Sequence, residues 1–249
     1  MAQASTVAPA ASVAGMPRVL VVEPESGCPV DRFGGWLADA GVELRTCRPY
    51  DGDAVPGGLE DDGLIVLGGH MGAYDDAEHP WLGPVRDLLA RSVGEDAPVL
   101  GICLGAQLLV AACGGRVEVG VGGIEAGVVD VRWRPEAASD PLVAGLPSPF
   151  PGPNMHLDAV VELPTDAVWL GETAAYPHQV FRVGASAWGV QFHPEVSLST
   201  YRTWAGHHEK DWPRWGIDGA AVVGELARAD ADVAGAGRAL AVSFAGRLG

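Results

Sequence analysis

Apolar positions fall first into short continuous runs and then into helical stripes. Arg18 to Val22, RVLVV, is the kind of run that a parallel sheet buries on both faces. Val42 to Cys47 alternates, with Val42, Leu44 and Thr46 opposite Glu43 and Arg45, and Gly63 to Leu67 is a third strand ending at Gly68-Gly69. Cys28 to Ala40 reads as a loop and an amphipathic helix closed by Gly41. The segment from Pro80-Trp81 to Arg91 is another helix, with Trp81, Leu82, Val85, Leu88 and Leu89 on its inner face. Val99 to Ile102 is again strand, and Gln107 to Ala111 continues as helix. This alternation predicts an α/β fold, an open, doubly wound, mostly parallel sheet with flanking helices, whose ligands gather at the carboxyl ends of the strands.

Beyond Gly114-Gly115 the pattern changes. Ile124 to Trp133 is a strand region, Asp140 to Leu146 a short helix, and Val168 to Glu172, Gln179 to Val183 and Ala187 to Phe192 an antiparallel meander. From Ser197 onward the chain is mostly helical, over Leu198–Trp204, Gly219–Ala229 and Val233–Phe244. Trp204, Trp212 and Trp215 are expected to cover the core and are given no chemistry.

With 249 residues the chain can bury a full core, and residues 17–249 are expected to form one catalytic domain. Residues 1–16, without a basic start or a continuous apolar stretch, read as a disordered leader rather than a signal peptide. No apolar run approaches the ~20 residues that span a bilayer. A formal net charge of −16 argues against nucleic acid or an anionic membrane as partner. Cys28, Cys47, Cys103 and Cys113 show neither a C-x-x-C spacing nor a secreted disulfide pattern, so a reduced, cytoplasmic setting is expected and a zinc site is unsupported.

Candidate chemistry changes the picture at two places. In PVLGICLGAQLLVAA, Pro98 to Ala112, Cys103 stands where strand becomes helix, with Gly101 and Gly105 at i−2 and i+2. This spacing has the form of a nucleophile elbow, a sharp turn that needs small neighbours. The helix start behind it carries partial positive charge and favours a thiolate. A buried structural cysteine is the competing reading. Downstream, WGVQFHPEV runs a strand into His193, Pro194 and Glu195. A thiol nucleophile needs an imidazole to carry its proton, and the imidazole needs a carboxylate to orient it. Gly68 to Asp76, GGHMGAYDD, at the end of the third strand, is a glycine-rich turn that can expose backbone N–H groups to an oxyanion.

GICLGAQ together with GVQFHPE resembles the catalytic core of the class I, triad-type glutamine amidotransferases. The resemblance runs from about Arg18 to the C-terminus and is nearest to stand-alone domains similar to the glutaminase part of GMP synthase. It implies a flavodoxin-like fold and Cys103, His193 and Glu195 as catalytic residues. It also implies Gly69 and Leu104 as oxyanion N–H donors, and Gln107 as a residue that helps place the glutamine side chain. N-M-H-L-D, Asn154 to Asp158, resembles the H-x-D segment of GMP-synthase-type glutaminases, which makes Asp158 the ligand for the α-amino group, with His156 beside it; read from the residues alone, the segment is equally a polar turn. His70 replaces a proline common in the family and is either a substrate contact or a solvated loop residue. No cofactor or metal is implied.

The resemblance implies hydrolysis of the γ-amide of L-glutamine through a Cys103 γ-glutamyl thioester. No P-loop or other nucleotide motif follows, so ammonia is expected to pass to a separate synthetase or acceptor enzyme. Hydrolysis of a γ-glutamyl small molecule, as by γ-glutamyl peptidases, is the first alternative, and a non-catalytic regulatory subunit the second.

Overall fold

The computed structural model describes residues 15–248. Most of the expected leader lies outside the described residues. The sheet has nine strands: β1 (Arg18–Val22), β2 (Glu43–Cys47), β3 (Gly63–Val66), β4 (Val99–Ile102), β6 (Glu125–Trp133), β7 (Phe150–His156), β9 (Val168–Glu172), β10 (Val180–Val183) and β11 (Ala187–Val190). Their spatial order is β2-β1-β3-β4-β11-β10-β9-β6-β7. The first five in that order pair in parallel and the remainder are antiparallel. A two-stranded ribbon, β5 (Arg116–Val119) with β8 (Asp158–Glu162), stands apart.

Both faces of β1, β3, β4 and β11 are covered, which is why these strands are apolar almost throughout, whereas the edge strand β2 alternates. Val19 and Val21 face α1 (Asp31–Asp39) and the long α6 (Gly219–Ala245), whereas Leu20 and Val22 face α2 (Leu82–Gly94) and α3 (Leu104–Ala112). The chain passes from β1 outward to β2 and then back across to β3, so the sheet reverses direction between β1 and β3. A crevice opens there at the carboxyl ends. The loops after β1 and β3 form its lips, and α4 (Leu198–His207) and α5 (Trp212–Trp215) approach it from the C-terminal segment.

Two local expectations are corrected and one element is added. Asp140 to Leu146 is not a helix but a single turn, which Ala144 N closes by donating to the Asp140 carbonyl at 3.1 Å and which the buried Asp140 carboxylate caps. Its Oδ1 accepts from Leu142 N at 2.9 Å and Trp188 Nε1 at 3.0 Å, and its Oδ2 from Arg182 Nε at 2.9 Å. The last two helices are one, α6, 27 residues long, carried through Ala229–Asp232 with Asp230 paired to Arg32 at 2.7 Å. The ribbon strand β5, Arg-Val-Glu-Val, alternates over only four residues and was not picked out from the sequence.

The glycines of the elbow are required by close approach of backbone to backbone. A Cβ on Gly101 would lie 2.6 Å from the Gly105 carbonyl, and one on Gly105 would penetrate the Val66 carbonyl of β3. Gly105→Ala should therefore lower stability by about 3 kcal/mol, the upper end of overpacking penalties, and Tm by roughly 10 °C for a chain of this size. Thermal unfolding by circular dichroism checks this, and an unchanged Tm would refute the packing account.

Candidate active site

Adjacent parallel strands deliver the two halves of the site. Ile102, the last residue of β4, pairs with Val190, the last of β11, and Cys103 N donates to the Val190 carbonyl at 2.9 Å. The residues leaving those strand ends are Cys103 on one side and Gln191, Phe192 and His193 on the other. Cys103 has φ 51° and ψ −108°, a conformation that β-carbon-bearing residues rarely hold and that costs of order 1–3 kcal/mol. Strain of this kind persists only where the surroundings impose it; here the Gly101–Gly105 contact does so.

The His-Pro-Glu corner is fixed from several sides. His193 N donates to the Pro153 carbonyl of β7 at 2.7 Å, and the Glu195 carbonyl accepts from Arg32 N at 3.1 Å. Asp31, at the start of α1, accepts from Ser197 N at 2.8 Å and Thr200 Oγ1 at 2.6 Å, tying α4 to the same point. Gly237 of α6 packs on the Pro194 carbonyl, where no side chain would fit.

Within this frame His193 Nδ1 meets Glu195 Oε1 at 2.8 Å, and both side chains are buried. Glu195 Oε2 has no hydrogen-bond partner among the described residues, so its charge is compensated mainly through the imidazole. Burial pulls the His193 pKa down, but the charges of Glu195 and Cys103 outweigh it and raise the value to about 10. The Trp204 ring lies 4.6 Å from the imidazole, centroid to centroid, and limits its movement. A Cβ on Gly68 would fall 2.7 Å from His193 Cε1 and 3.6 Å from Cys103 Cβ, so glycine there lets imidazole and thiol face each other. Gly69 is packed against Leu104, whose N–H opens α3 and has no partner inside that helix.

The crevice has two lobes that meet at Cys103, Gly69 and His70. The larger, about 300 Å³, is lined by Gln107, His156, Asp158, Asp211, Arg214 and Trp215 among others. Gln107 Nε2 donates to the Asp158 carbonyl at 3.0 Å and to Gln191 Oε1 at 3.3 Å, and Gln191 Nε2 lies 3.6 Å from Cys103 Sγ. Burial, then the nearby Asp75, raise the Asp158 pKa, with His156 opposing. Such an acidic pocket is suited to an ammonium group. His156 lies almost wholly beneath the lobe, with Nδ1 3.0 Å from the Asp158 carbonyl and Nε2 3.0 Å from Glu125 Oε2. The smaller lobe, about 100 Å³, is lined by Glu25, Cys28, His193, Trp204 and His207. His70, on the rim of both lobes, pairs with Glu25.

Several of these residues escaped the sequence reading. Glu125 is the hub of a buried network. Its carboxylate accepts from Thr173 Oγ1 at 2.6 Å, Gln179 Nε2 at 2.6 Å and Asn154 Nδ2 at 2.8 Å, besides facing His156. Only the isolated carboxylate at the start of an apolar strand hinted at it. Trp204, His207, Asp211, Arg214 and Trp215 wall the crevice, correcting the expectation that the C-terminal segment carries no part of the site. Glu125→Gln presents an amide to a ring of donors and leaves the floor under Asp158 unsupported. Its expected effect is a KM for glutamine raised about tenfold with kcat changed less, in line with the loss of one charged hydrogen bond. Steady-state kinetics separate the two constants, and an unchanged KM would contradict this role.

The class I glutamine amidotransferase family model matches residues 36–205, which include every residue of the elbow and the His-Pro-Glu corner. The chain belongs to the class I glutamine amidotransferase family. It is 34% identical over 170 residues to the glutamine-hydrolysing GMP synthase subunit of Natronomonas pharaonis, covering 65% of this chain and 79% of that one. It is 36% identical over 158 residues to the glutamine-hydrolysing GMP synthase of Porphyromonas gingivalis, covering 62% of this chain but 29% of that protein. Among solved structures, a glutamine amidotransferase from Thermotoga maritima superposes with a TM-score of 0.81 at 25% identity, covering 92% of this chain and 98% of that one. The mostly parallel sheet with flanking helices is the architecture of this family.

Among the described residues no group of three or more His, Cys, Asp or Glu side chains is placed to hold a metal, and no helix is long and apolar enough to cross a membrane.

Proposed function

We propose that the protein hydrolyses the γ-carboxamide of L-glutamine by covalent catalysis at Cys103. His193, held between Glu195 and Cys103 and protonated well above neutral pH, carries the proposal. An imidazolium facing a sulfur sustains a thiolate, the form that attacks carbonyl carbon.

The Cys103 sulfur adds to the γ-carbon, and the N–H groups of Gly69 and Leu104 receive the developing oxyanion. His193 gives its proton to the departing nitrogen, the C–N bond breaks, and ammonia leaves a γ-glutamyl thioester. Water then adds, surrendering a proton to His193, and the C–S bond breaks to free glutamate. Glu195 keeps the imidazole aimed throughout. In the larger lobe Asp158 takes the α-ammonium, and Arg214, which lines the same lobe, suits the α-carboxylate. The ammonia serves a separate acceptor enzyme, as the name of the Natronomonas relative suggests. A regulatory module without catalysis is the weaker reading, because it has no use for a strained thiol beside an imidazolium.

The test is ammonia release from L-glutamine together with labelling by a glutamine analogue bearing a γ-diazoketone, read by intact and peptide mass. The expected result is release of ammonia and one adduct per chain, on Cys103. Absence of both, or labelling on another cysteine, would overturn the proposal.

A further inference from the structure

One buried side chain of the GVQFHPE stretch has no part in the mechanism above. Gln191 follows β11 directly and is 2% exposed. It is not among the residues that line either lobe, so it lies outside the space that a substrate would fill. Its side chain nevertheless reaches the reacting atom, with Nε2 3.6 Å from Cys103 Sγ.

Which end of that amide meets the sulfur follows from its partners. The Asp158 carbonyl can only accept, so the Gln107 atom 3.0 Å from it is the nitrogen. That nitrogen carries a second hydrogen, which goes to Gln191 Oε1 at 3.3 Å. With its oxygen engaged there, Gln191 turns its nitrogen to the sulfur. The backbone is held as well: Gln191 N donates to the Gln179 carbonyl at 2.9 Å, and the Gln179 side chain belongs to the Glu125 network. The amide is therefore oriented before any substrate arrives.

A buried N–H directed at sulfur discriminates between the two forms of the group. A thiol sulfur is a weak acceptor, whereas a thiolate accepts with the strength of an ion. A hydrogen bond made mainly to the charged form favours that form. Resting on the thioester chemistry proposed above, we infer that Gln191 is a further catalytic residue, whose side-chain N–H donates to the Cys103 thiolate and supports it together with the His193 imidazolium. Gln191 exchanges no proton in this role; the proton that leaves Cys103 rests on His193.

The ionisable groups around the sulfur are His193 with Glu195, Glu25, Cys28, His70, His207 and His208 towards the smaller lobe, and His156 and Asp158 towards the larger. Substitution at Gln191 replaces none of them. Gln191→Met keeps the length of the side chain and removes the donor, whereas Gln191→Asn keeps the amide but stops one methylene short of the sulfur. The experiment follows alkylation of Cys103 by iodoacetamide, read by peptide mass, in the wild type and both variants across about pH 4 to 9, where paired and free thiols ionise. Ammonia release from L-glutamine is measured beside it. On the acidic limb both variants should be alkylated about tenfold more slowly, as loss of a hydrogen bond to a charged group allows, and the three rates should converge at alkaline pH. A glutamine that served only to prop Gln107 would raise KM for glutamine and leave alkylation unmoved. Should Gln191→Met fail to fold, the Gln191→Asn profile decides. Superimposable alkylation profiles beside ammonia release by the wild type would overturn the inference and leave the glutaminase standing. A displaced acidic limb without ammonia release would remove the glutaminase and uphold Gln191 as the donor to the thiolate.

Discussion

Cys103→Ala should reduce ammonia release from L-glutamine by roughly four to six orders of magnitude, the range seen when a triad nucleophile is removed. The loss follows from chemistry and not from misfolding. Alanine keeps the β-carbon that packs near Gly68, removes a thiol from a buried position, and leaves φ 51° unaltered. Cys103→Gly makes the separation sharper. Glycine holds positive φ without penalty, so this variant should be as inactive as Cys103→Ala and yet unfold at a Tm roughly 2–4 °C higher for each kcal/mol of strain relieved. Activity by ammonia assay and stability by calorimetry would then move in opposite directions. Appreciable turnover by either variant would end the thioester account.

The elbow and the His-Pro-Glu corner were legible because local backbone demands leave residue-type signatures. Gly101 and Gly105 mark a turn too tight for side chains, and Pro194 marks the end of a strand that must aim its next residues. The parallel half of the sheet was legible for a similar reason, since burial on both faces forbids polar interruption in β1 and β3. What sequence could not show is who meets whom across long separations. Glu125, Asn154, Thr173 and Gln179 form one hydrogen-bonded unit, but each looks ordinary among its own neighbours in the chain. Trp204 reads as core because it is large and apolar, and indeed it is buried; only the packing of α4 over the corner makes it a wall of the crevice as well. Asp140 misled for the opposite reason. An acidic residue before an apolar stretch resembles a helix cap, and Asp140 does cap Leu142 N and Val143 N, but only one turn follows, and the same carboxylate also serves Trp188 and Arg182, partners distant in the chain.

Replacing Glu195 by glutamine should separate charge from shape at the corner. In the wild-type protein burial depresses the His193 pKa, and the charges of Glu195 and Cys103 reverse this and carry it to about 10. Glutamine keeps the volume and one acceptor but removes the carboxylate charge, so burial is opposed by Cys103 alone and the imidazole loses its proton at lower pH. At pH 8 the variant should show kcat/KM lower by about 10²–10⁴, the usual contribution of a positioned acid–base. The alkaline limb of its pH profile, set in the wild type by the His193 pKa of about 10, should move towards neutrality. The same group leaves a trace in stability. Because the folded pKa lies above the unfolded value of about 6.5, the folded state holds a proton that the unfolded state has released. The contribution of His193 is therefore complete below about pH 6.5 and disappears as pH rises through about 10. Wild-type Tm should decline across that window more steeply than that of Glu195→Gln. Profiles of kcat/KM and Tm from about pH 6 to 10.5, spanning the unfolded and folded values, test both statements, and superimposable alkaline limbs for the two proteins would show that Glu195 does not set the protonation of His193.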